Sequence, residues 1–216
     1  MLTNLSLVNS VISRYVTELR DINIQKDRLR FRRNMERIGE IFAYEISKTF
    51  DYETEEVETP LGIAESAVQQ DTVVLATILR AGLPMHTGML NYLDDSKNAF
   101  VSAYRKHHKD GTFEIDIQYV SCPDIEGSTL IICDPMLATG ASMDLTIQTL
   151  LEHGTPEKIH IVTAIASVDG LEFIQRSHPD ADVWLAGLDE ELTAKSYIVP
   201  GLGDAGDLSF GEKVQE

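Results

Sequence analysis

From about residue 72 onward, the hydrophobic and polar positions follow two alternating patterns. Short continuous apolar segments, such as "TVVLATI" (72–78) and "STLIIC" (128–133), are typical of strands that are covered on both faces of their sheet. Turns separate them from segments with helical spacing, such as "DGLEFIQRSH" (169–178). Strands that alternate with helices predict right-handed βαβ units. We therefore expect an α/β fold built on an open, mostly parallel sheet with helices on both faces.

The two ends of the chain follow other patterns. Helical spacing predicts one helix from about Val8 to Leu19 and a second from about Gln25 to Lys48. The acidic segment "DYETEEVETP" (51–60) favours β structure, and "TFEIDIQYVS" (112–121) alternates like a small antiparallel arm. We expect a single domain over 1–216, with N-terminal helices in 1–50, an α/β core in 72–190 and a glycine-rich loop in 196–211.

Charge and composition exclude several classes of partner. The net charge of −17 would repel phosphate backbones, so we expect no nucleic-acid partner, and a smaller polyanion would need a locally built site. The apolar segments are too short to cross a bilayer, and we expect no signal peptide and no membrane association. Cys122 and Cys133 lack metal-ligand spacing, which favours reduced thiols and a cytoplasmic location.

The segment "DPMLATGAS" (134–142) carries the first candidate chemistry. Asp134 ends an apolar strand, and small residues at 138–142 then lead into a helix predicted over about Met143 to Glu152. Converging backbone N–H groups and the helix N-terminus would bind a phosphate monoester, although the lysine of a Walker A loop is missing. The alternative is an ordinary helix capped by Ser or Thr. A carboxylate beside a phosphate loop suggests a phosphorylated ribose.

Four segments together carry a resemblance to a known family. In chain order they are "ILRAGLPM" (78–85), "YR" (104–105), "DPMLATG" (134–140) and "YIVPGLGDAGD" (197–207). They resemble the diphosphate loop, second arginine, ribose-phosphate loop and uracil loop of the uracil phosphoribosyltransferases, and "FRRNMERIGEIFAYEIS" (31–47) resembles their N-terminal helix. The chain departs from the wider phosphoribosyltransferase pattern at Pro135, where a second acid is usual. It departs again at Ala141, where a glycine is common and where a methyl group is tolerated if φ is negative.

The resemblance implies transfer of a phosphoribosyl group from 5-phospho-α-D-ribose 1-diphosphate (PRPP) to uracil, giving UMP and diphosphate. It implies that PRPP is bound by Arg80, Arg105, Asp134, Pro135, Met136, Leu137, Ala138, Thr139, Gly140, Ala141, Ser142 and Asp204. It implies that uracil is bound by Ile198, Gly203, Asp204 and Ala205. Asp204 and Arg105 would be catalytic, and Mg²⁺ would travel with PRPP rather than be ligated directly by side chains. It also implies a homo-oligomer and a GTP effector.

The residue types fit this chemistry independently. Loss of diphosphate builds positive charge on the ribose and negative charge on the leaving group, and Arg80 and Arg105, each after an apolar strand, suit phosphate oxygens. Uracil presents an acceptor, a donor and an acceptor along one edge, which the backbone of a glycine-rich loop can match. Cytosine reverses two of these groups, which would leave partners unmatched at roughly 1–3 kcal/mol each.

Other interpretations remain open at this stage. A purine could replace uracil, although "PGLGDAG" holds no aromatic residue to stack on it. A regulatory relative that binds RNA would need an extended basic surface. The turn "KHHKDG" (106–111), which contains His107 and His108, is either a solvated tip or a lid over the diphosphate. A basic stripe on the second helix is either solvated, a subunit interface or an effector site; it consists of Lys26, Arg30, Arg33 and Arg37. Asp204 is one candidate base for the uracil N1 proton.

Overall fold

The computed structural model describes the backbone of residues 1–107 and 113–213, with side chains described except at 104–107 and 113–116. The first half contains β1 (Leu2–Asn4), α1 (Val11–Arg20), α2 (Arg28–Ser47), β2 (Tyr52–Thr59), β3 (Gly62–Gln69), β4 (Val73–Leu79), α3 (Leu83–Leu90) and β5 (Lys97–His107). The second half contains β6 (Phe113–Ser121), β7 (Thr129–Cys133), β8 (Met136–Leu137), α4 (Ala141–Leu150), β9 (Lys158–Thr163), β10 (Ile165–Ser167), α5 (Val168–Ser177), β11 (Asp182–Leu185), β12 (Leu188–Asp189), β13 (Glu191–Leu192), β14 (Ile198–Val199) and α6 (Ala205–Phe210).

The central sheet has the strand order β1-β11-β9-β7-β4-β5-β6. Its neighbouring strands are parallel except for β5 and β6, which pair antiparallel. Thr77 in β4 lies opposite Cys133 in β7, so these two strands end side by side. The predicted fold class, a mostly parallel sheet with helices and a small antiparallel arm, is confirmed.

Both faces of the sheet are covered by helices. In β4, Val73 and Leu75 pack into a buried cluster with α1, α2 and α3, whereas Val74 and Ala76 pack with α4 and α5 on the other face. Each large aliphatic side chain buried in this way contributes about 1.5–3 kcal/mol. The continuous apolar character of the strand segments therefore follows from burial on both faces.

Capping side chains set where the N-terminal helices begin. The Ser10 hydroxyl accepts a hydrogen bond from Ile12 N, and the Asp27 carboxylate accepts one from Arg30 N. Both helices therefore start three residues later than the spacing predicts. The acidic segment forms the first strand of the exposed β2–β3 hairpin, whose second strand the sequence analysis missed. Within the described residues, no helix is long and apolar enough to span a membrane.

The C-terminal segment is only partly the loop that the sequence predicts. The backbone forms β14, turns at Gly201 and Gly203, and then enters α6. The Asp204 carboxylate accepts a hydrogen bond from Asp207 N at 2.9 Å and so caps this helix. The prediction of a loop through 211 was wrong for 205–210, which form the helix α6. The glycines of the segment suggested a loop, but the Asp204 cap stabilises the helix.

Candidate active site

A cleft opens at the carboxyl ends of β4 and β7. Its volume is about 700 Å³, including its opening to solvent. The lining residues come from four separate parts of the chain: Ile78, Leu79, Arg80, Ala81, Ala103, Asp134, Met136, Ser142, Asp204, Ala205, Gly206 and Lys213. The structure thus brings Arg80, Asp134 and the terminal Gly-Asp segment together at the edge of the sheet where ligands of such folds bind.

A second, smaller pocket adjoins this cleft. Its volume is about 240 Å³, and its lining consists of Asp134, Met136, Leu137, Ala138, Thr139, Gly140, Ser142 and Met143. Asp134, Met136 and Ser142 line both spaces. A single elongated ligand could therefore occupy the pocket and the cleft together.

The small pocket lies at the N-terminus of α4. The N-cap is Gly140, which has φ 81° and makes no side-chain capping hydrogen bond. Thr139, one residue before the N-cap, accepts a long 3.4 Å hydrogen bond from Ala141 N, and this is the only part of the alternative, a Ser or Thr capping the helix, that the described residues show. The first N–H groups of a helix need acceptors, and a bound anion can supply them. Ala141 is the first residue of α4 and has a negative φ, so the methyl group that replaces a common glycine is tolerated there.

The ribose-phosphate loop is held from behind by neighbouring elements. Pro135 is buried and its carbonyl accepts a hydrogen bond from Ile165 N, while Met136 and Leu137 form β8, which pairs with β10. A Cβ on Gly170 would lie 2.2 Å from the Ala138 carbonyl oxygen. This glycine, which the sequence analysis did not identify, allows α5 to pack directly against the loop.

Asp134 follows the fully buried Cys133. Its backbone N–H donates to the Val162 carbonyl at 3.0 Å, which fixes the backbone of Asp134 at the end of β7. Burial raises the pKa of the Cys133 thiol to about 12, so this thiol stays protonated near neutral pH. Since the thiolate is the nucleophilic form, Cys133 is a core residue rather than a reactive one.

The β4–α3 turn packs as closely as the phosphate loop does. A Cβ on Gly82 would lie 2.2 Å from Thr77 Oγ1 and 2.8 Å from the Cys133 carbonyl oxygen. Glycine at this position lets the backbone after Arg80 lie against the end of β7.

We expect Gly82→Ala to destabilise the protein because its methyl group overfills this contact. The expected loss is about 3 kcal/mol, which corresponds to roughly 6–12 °C in Tm for a chain of this size. Thr87→Ala, at an exposed position of the same helix, should change stability by less than about 0.5 kcal/mol. Thermal denaturation followed by circular dichroism measures both, and equal Tm values for the two variants would contradict the close packing.

The cations of the cleft pair with aspartates of the C-terminal segment. Arg80 Nη2 lies 3.0 Å from Asp207 Oδ1 and donates to the Gly211 carbonyl at 3.3 Å. Lys213 Nζ lies 3.6 Å from Asp204 Oδ2. The Arg80 and Lys213 side chains are 42% and 47% exposed, so they remain accessible to an incoming anion. Lys213 was not predicted as a site residue.

The residues predicted to bind uracil divide into two pairs. Asp204 and Ala205 line the cleft. Ile198 is buried in β14, opposite Leu192, and Gly203 has φ 97° just before Asp204, but neither lines the cleft. The predicted set is therefore contiguous with the cleft, and half of it forms the cleft wall.

Arg105 is placed differently from its prediction. It lies within β5 and its backbone pairs with Ile115 in β6, whereas the sequence analysis placed it after the end of a strand. The strand continues because β6 supplies it with a partner. The side chain of Arg105 lies outside the described residues, as do the side chain of His107 and all of His108 in the turn that was predicted to be a solvated tip or a lid.

Most of the predicted basic stripe is paired within the chain. Arg30 Nε lies 3.0 Å from Glu18 Oε2, and Arg33 forms an ion pair with Glu36. Arg37 donates to Asn34 Oδ1 at 3.2 Å and stacks over the Tyr15 ring. These arginines therefore connect α1 and α2 or pair along α2.

In the described part of the chain, no group of three or more His, Cys, Asp and Glu side chains could hold a metal. Two carboxylates, Asp134 and Asp204, do line the same cleft. Mg²⁺ prefers substrate phosphates together with one or two carboxylates, so this donor set fits an ion that arrives with a diphosphate.

Comparisons with known proteins agree with this arrangement. Residues 7–212 match the family described as uracil phosphoribosyltransferase. The uracil phosphoribosyltransferase of Porphyromonas gingivalis is 55% identical over 212 residues, 98% of each chain. That of Pyrococcus furiosus is 38% identical over 207 residues, 94% of this chain and 88% of the relative.

Solved structures give the same result for the fold. The AQ2163 protein from Aquifex aeolicus superposes with a TM-score of 0.88 at 30% identity over the full length of both chains. A hypoxanthine phosphoribosyltransferase from Staphylococcus aureus has a TM-score of 0.50 at 15% identity and covers 86% of this chain and 84% of its own, which shows the shared fold alone. With nearly its whole length matched, this chain belongs to the uracil phosphoribosyltransferase family.

Proposed function

We propose that this protein transfers the phosphoribosyl group of PRPP to uracil, giving UMP and diphosphate. The observation that carries the proposal is that Arg80, Asp134, Asp204 and Ala205 line one cleft beside the pocket of residues 138–142. In the reaction, the bond from ribose C1 to the diphosphate oxygen breaks and its electron pair leaves with diphosphate. Uracil N1 forms the new bond to C1 and loses its proton.

The small pocket is the proposed site of the 5′-phosphate. Its Gly140 N-cap, without a side-chain cap, leaves the first turn of α4 in need of an acceptor, and Thr139 and Ser142 add hydroxyl donors. Asp134 lines both the pocket and the cleft, which supports its carboxylate as the acceptor of hydrogen bonds from the ribose hydroxyls.

The diphosphate would lie against Arg80. This guanidinium already pairs with a carboxylate, Asp207, and a diphosphate offers the same kind of oxygen with more charge. As C1–O cleavage proceeds, a fixed positive charge stabilises the developing negative charge of the leaving group. We propose Arg105 as a second contact on the basis of family resemblance, and Lys213 as a further cation at the same cleft.

The base would lie against the C-terminal segment. Ala205 lines the cleft and is the first residue of α6, so its backbone N–H is available at a helix start. Asp204 is the carboxylate at this position; it would face the ribose and is the candidate acceptor of the N1 proton. Backbone groups of Ile198 and Gly203 would complete recognition of uracil.

Mg²⁺ bound to PRPP would offset the negative charge of the diphosphate. Asp134 and Asp204 are the carboxylates that would hold the ion's hydration shell, since both line the cleft. We further propose a cytoplasmic homo-oligomer. GTP is the proposed effector, and its candidate site is the stripe of Lys26, Arg30, Arg33 and Arg37. GTP would have to compete there with Glu18 and Glu36, which already pair with Arg30 and Arg33.

A panel of bases tests the proposed function. The protein is incubated with PRPP, Mg²⁺ and uracil, cytosine, orotate, hypoxanthine or guanine, and nucleotide product is measured by chromatography. We expect UMP from uracil and less than about 1% of that rate with cytosine, because unmatched polar groups are costly. Product from hypoxanthine or guanine with none from uracil would replace the proposal with a purine enzyme.

A further inference from the structure

A partly buried ion pair links the N-terminal helices to the C-terminal segment. Arg20 is the last residue of α1, and Asp189 is the last residue of β12. Arg20 Nη1 lies 2.7 Å from Asp189 Oδ2, and Arg20 Nη2 lies 2.8 Å from Asp189 Oδ1. The Asp189 side chain is only 7% exposed. Two parallel hydrogen bonds of this kind fix the geometry of a guanidinium and a carboxylate.

The same pair holds both peptide groups of Gly201. Arg20 Nη1 donates to the Gly201 carbonyl at 3.0 Å, and Gly201 N donates to Asp189 Oδ2 at 2.9 Å. Gln25 extends the contact, since its Nε2 donates to the Leu202 carbonyl at 3.1 Å and to the Leu19 carbonyl at 2.7 Å. Two consecutive residues of the segment are thereby attached to α1 and the residues that follow it.

The attached residues directly precede the wall of the cleft. Gly201 has φ 56° and Gly203 has φ 97°, so this stretch has the backbone freedom that only glycine provides. A segment that recognises a base through backbone groups must nevertheless hold those groups at fixed positions. Otherwise the conformational entropy lost in ordering the segment would weaken the binding of the base.

From these contacts we infer that Arg20 and Asp189 are positioning residues for base recognition. They hold Gly201 and Leu202, and through them they set the position of Gly203, Asp204 and Ala205. This inference rests on the proposed function. It concerns two residues that are absent from the lining of the cleft.

Steady-state kinetics with both substrates tests the inference. We expect Arg20→Ala and Asp189→Asn to raise KM for uracil about tenfold or more and KM for PRPP less than about threefold. Arg20→Lys keeps the charge but loses the planar fork. Its KM for uracil should therefore lie between the values of the wild type and Arg20→Ala. Lys158→Ala is the matched control, because Lys158 pairs with Asp51 at 2.6 Å at the amino end of β9. We expect wild-type KM values for both substrates in that control.

The kinetic pattern separates positioning from a purely structural role. A variant that merely folds less well would lose kcat through a lower active fraction and keep both KM values. Loss of kcat alone, or equal increases in both KM values, would overturn the inference. Should Arg20→Ala not fold, Arg20→Lys and Asp189→Asn give the same comparison with smaller changes of volume.

Amide hydrogen exchange provides a readout that does not depend on the substrate. We expect faster exchange in peptides covering 198–204 of Asp189→Asn, with unchanged exchange in β7. Unchanged exchange in 198–204 would overturn the positioning role even if the enzyme uses uracil. Conversely, if the wild-type protein does not use uracil but Asp189→Asn still shows faster exchange in 198–204, the proposed function is overturned and the attachment of the segment stands.

Discussion

Asp204→Asn should keep the fold and lose most of the turnover. The substitution preserves the side-chain oxygen that accepts the hydrogen bond from Asp207 N, and asparagine is as good an N-cap as aspartate. Only the charge and the proton-accepting capacity are lost. For a carboxylate that faces the reacting groups, we expect kcat to fall about 100-fold.

Two comparisons isolate this effect. Asp124→Asn changes an aspartate that also accepts a backbone hydrogen bond, from Glu126 N at 3.0 Å, in the loop before β7. It should retain wild-type kcat. Asp204→Ala should lose kcat and also about 1 kcal/mol of stability, since the cap of α6 is removed. Turnover is measured by UMP formation and stability by chemical denaturation; wild-type turnover in Asp204→Asn would remove Asp204 from the chemistry.

Arg80→Ala should weaken the binding of PRPP far more than the binding of uracil. A hydrogen bond between charged groups is worth about 1.5–3 kcal/mol, which predicts an increase of roughly 10–150-fold in KM for PRPP. The Arg80–Asp207 pair is partly exposed, so its loss should cost less than about 1 kcal/mol of stability. The change should therefore be visible in binding rather than in folding.

The control for Arg80 is an arginine elsewhere on the surface. Arg176→Ala removes an exposed side chain at the end of α5, and we expect no change in either KM. Arg80→Lys should recover part of the PRPP affinity because it keeps the charge without the fork. Isothermal titration with PRPP and Mg²⁺ measures the affinity directly. Equal losses of PRPP and uracil affinity in Arg80→Ala would contradict a diphosphate contact.

The sequence was sufficient to predict the central strands of the sheet and the edge where the site lies, although it did not reveal the outer strand β1. Strands buried on both faces need continuous apolar segments, so β4 and β7 were visible as "TVVLATI" and "STLIIC". Parallel strands present their carboxyl ends at one edge, so Arg80 and Asp134 were predicted to lie in one site, and both line the cleft. These inferences depend only on local pattern and on the topology of βαβ units.

Contacts between residues far apart in the sequence, and strand extensions that depend on a partner, were not visible in the sequence pattern. Arg20 and Asp189 are 169 positions apart, and neither stands in a segment whose pattern indicates a contact. Lys213 was missed because a single cation after a glycine-rich segment is common on surfaces. Arg105 was placed at a strand end because periodicity does not show that β6 extends β5. The helical part of the C-terminal segment was hidden by its glycines, whose conformational freedom suggested a loop.

A crystal structure of the protein with UMP and diphosphate would test the central claim most directly. We predict the UMP phosphate within hydrogen-bonding distance of residues 138–142, the ribose hydroxyls at Asp134, the uracil edge against 203–205 and the diphosphate at Arg80. A UMP molecule bound with its base at 138–142, or bound away from this cleft, would contradict the account.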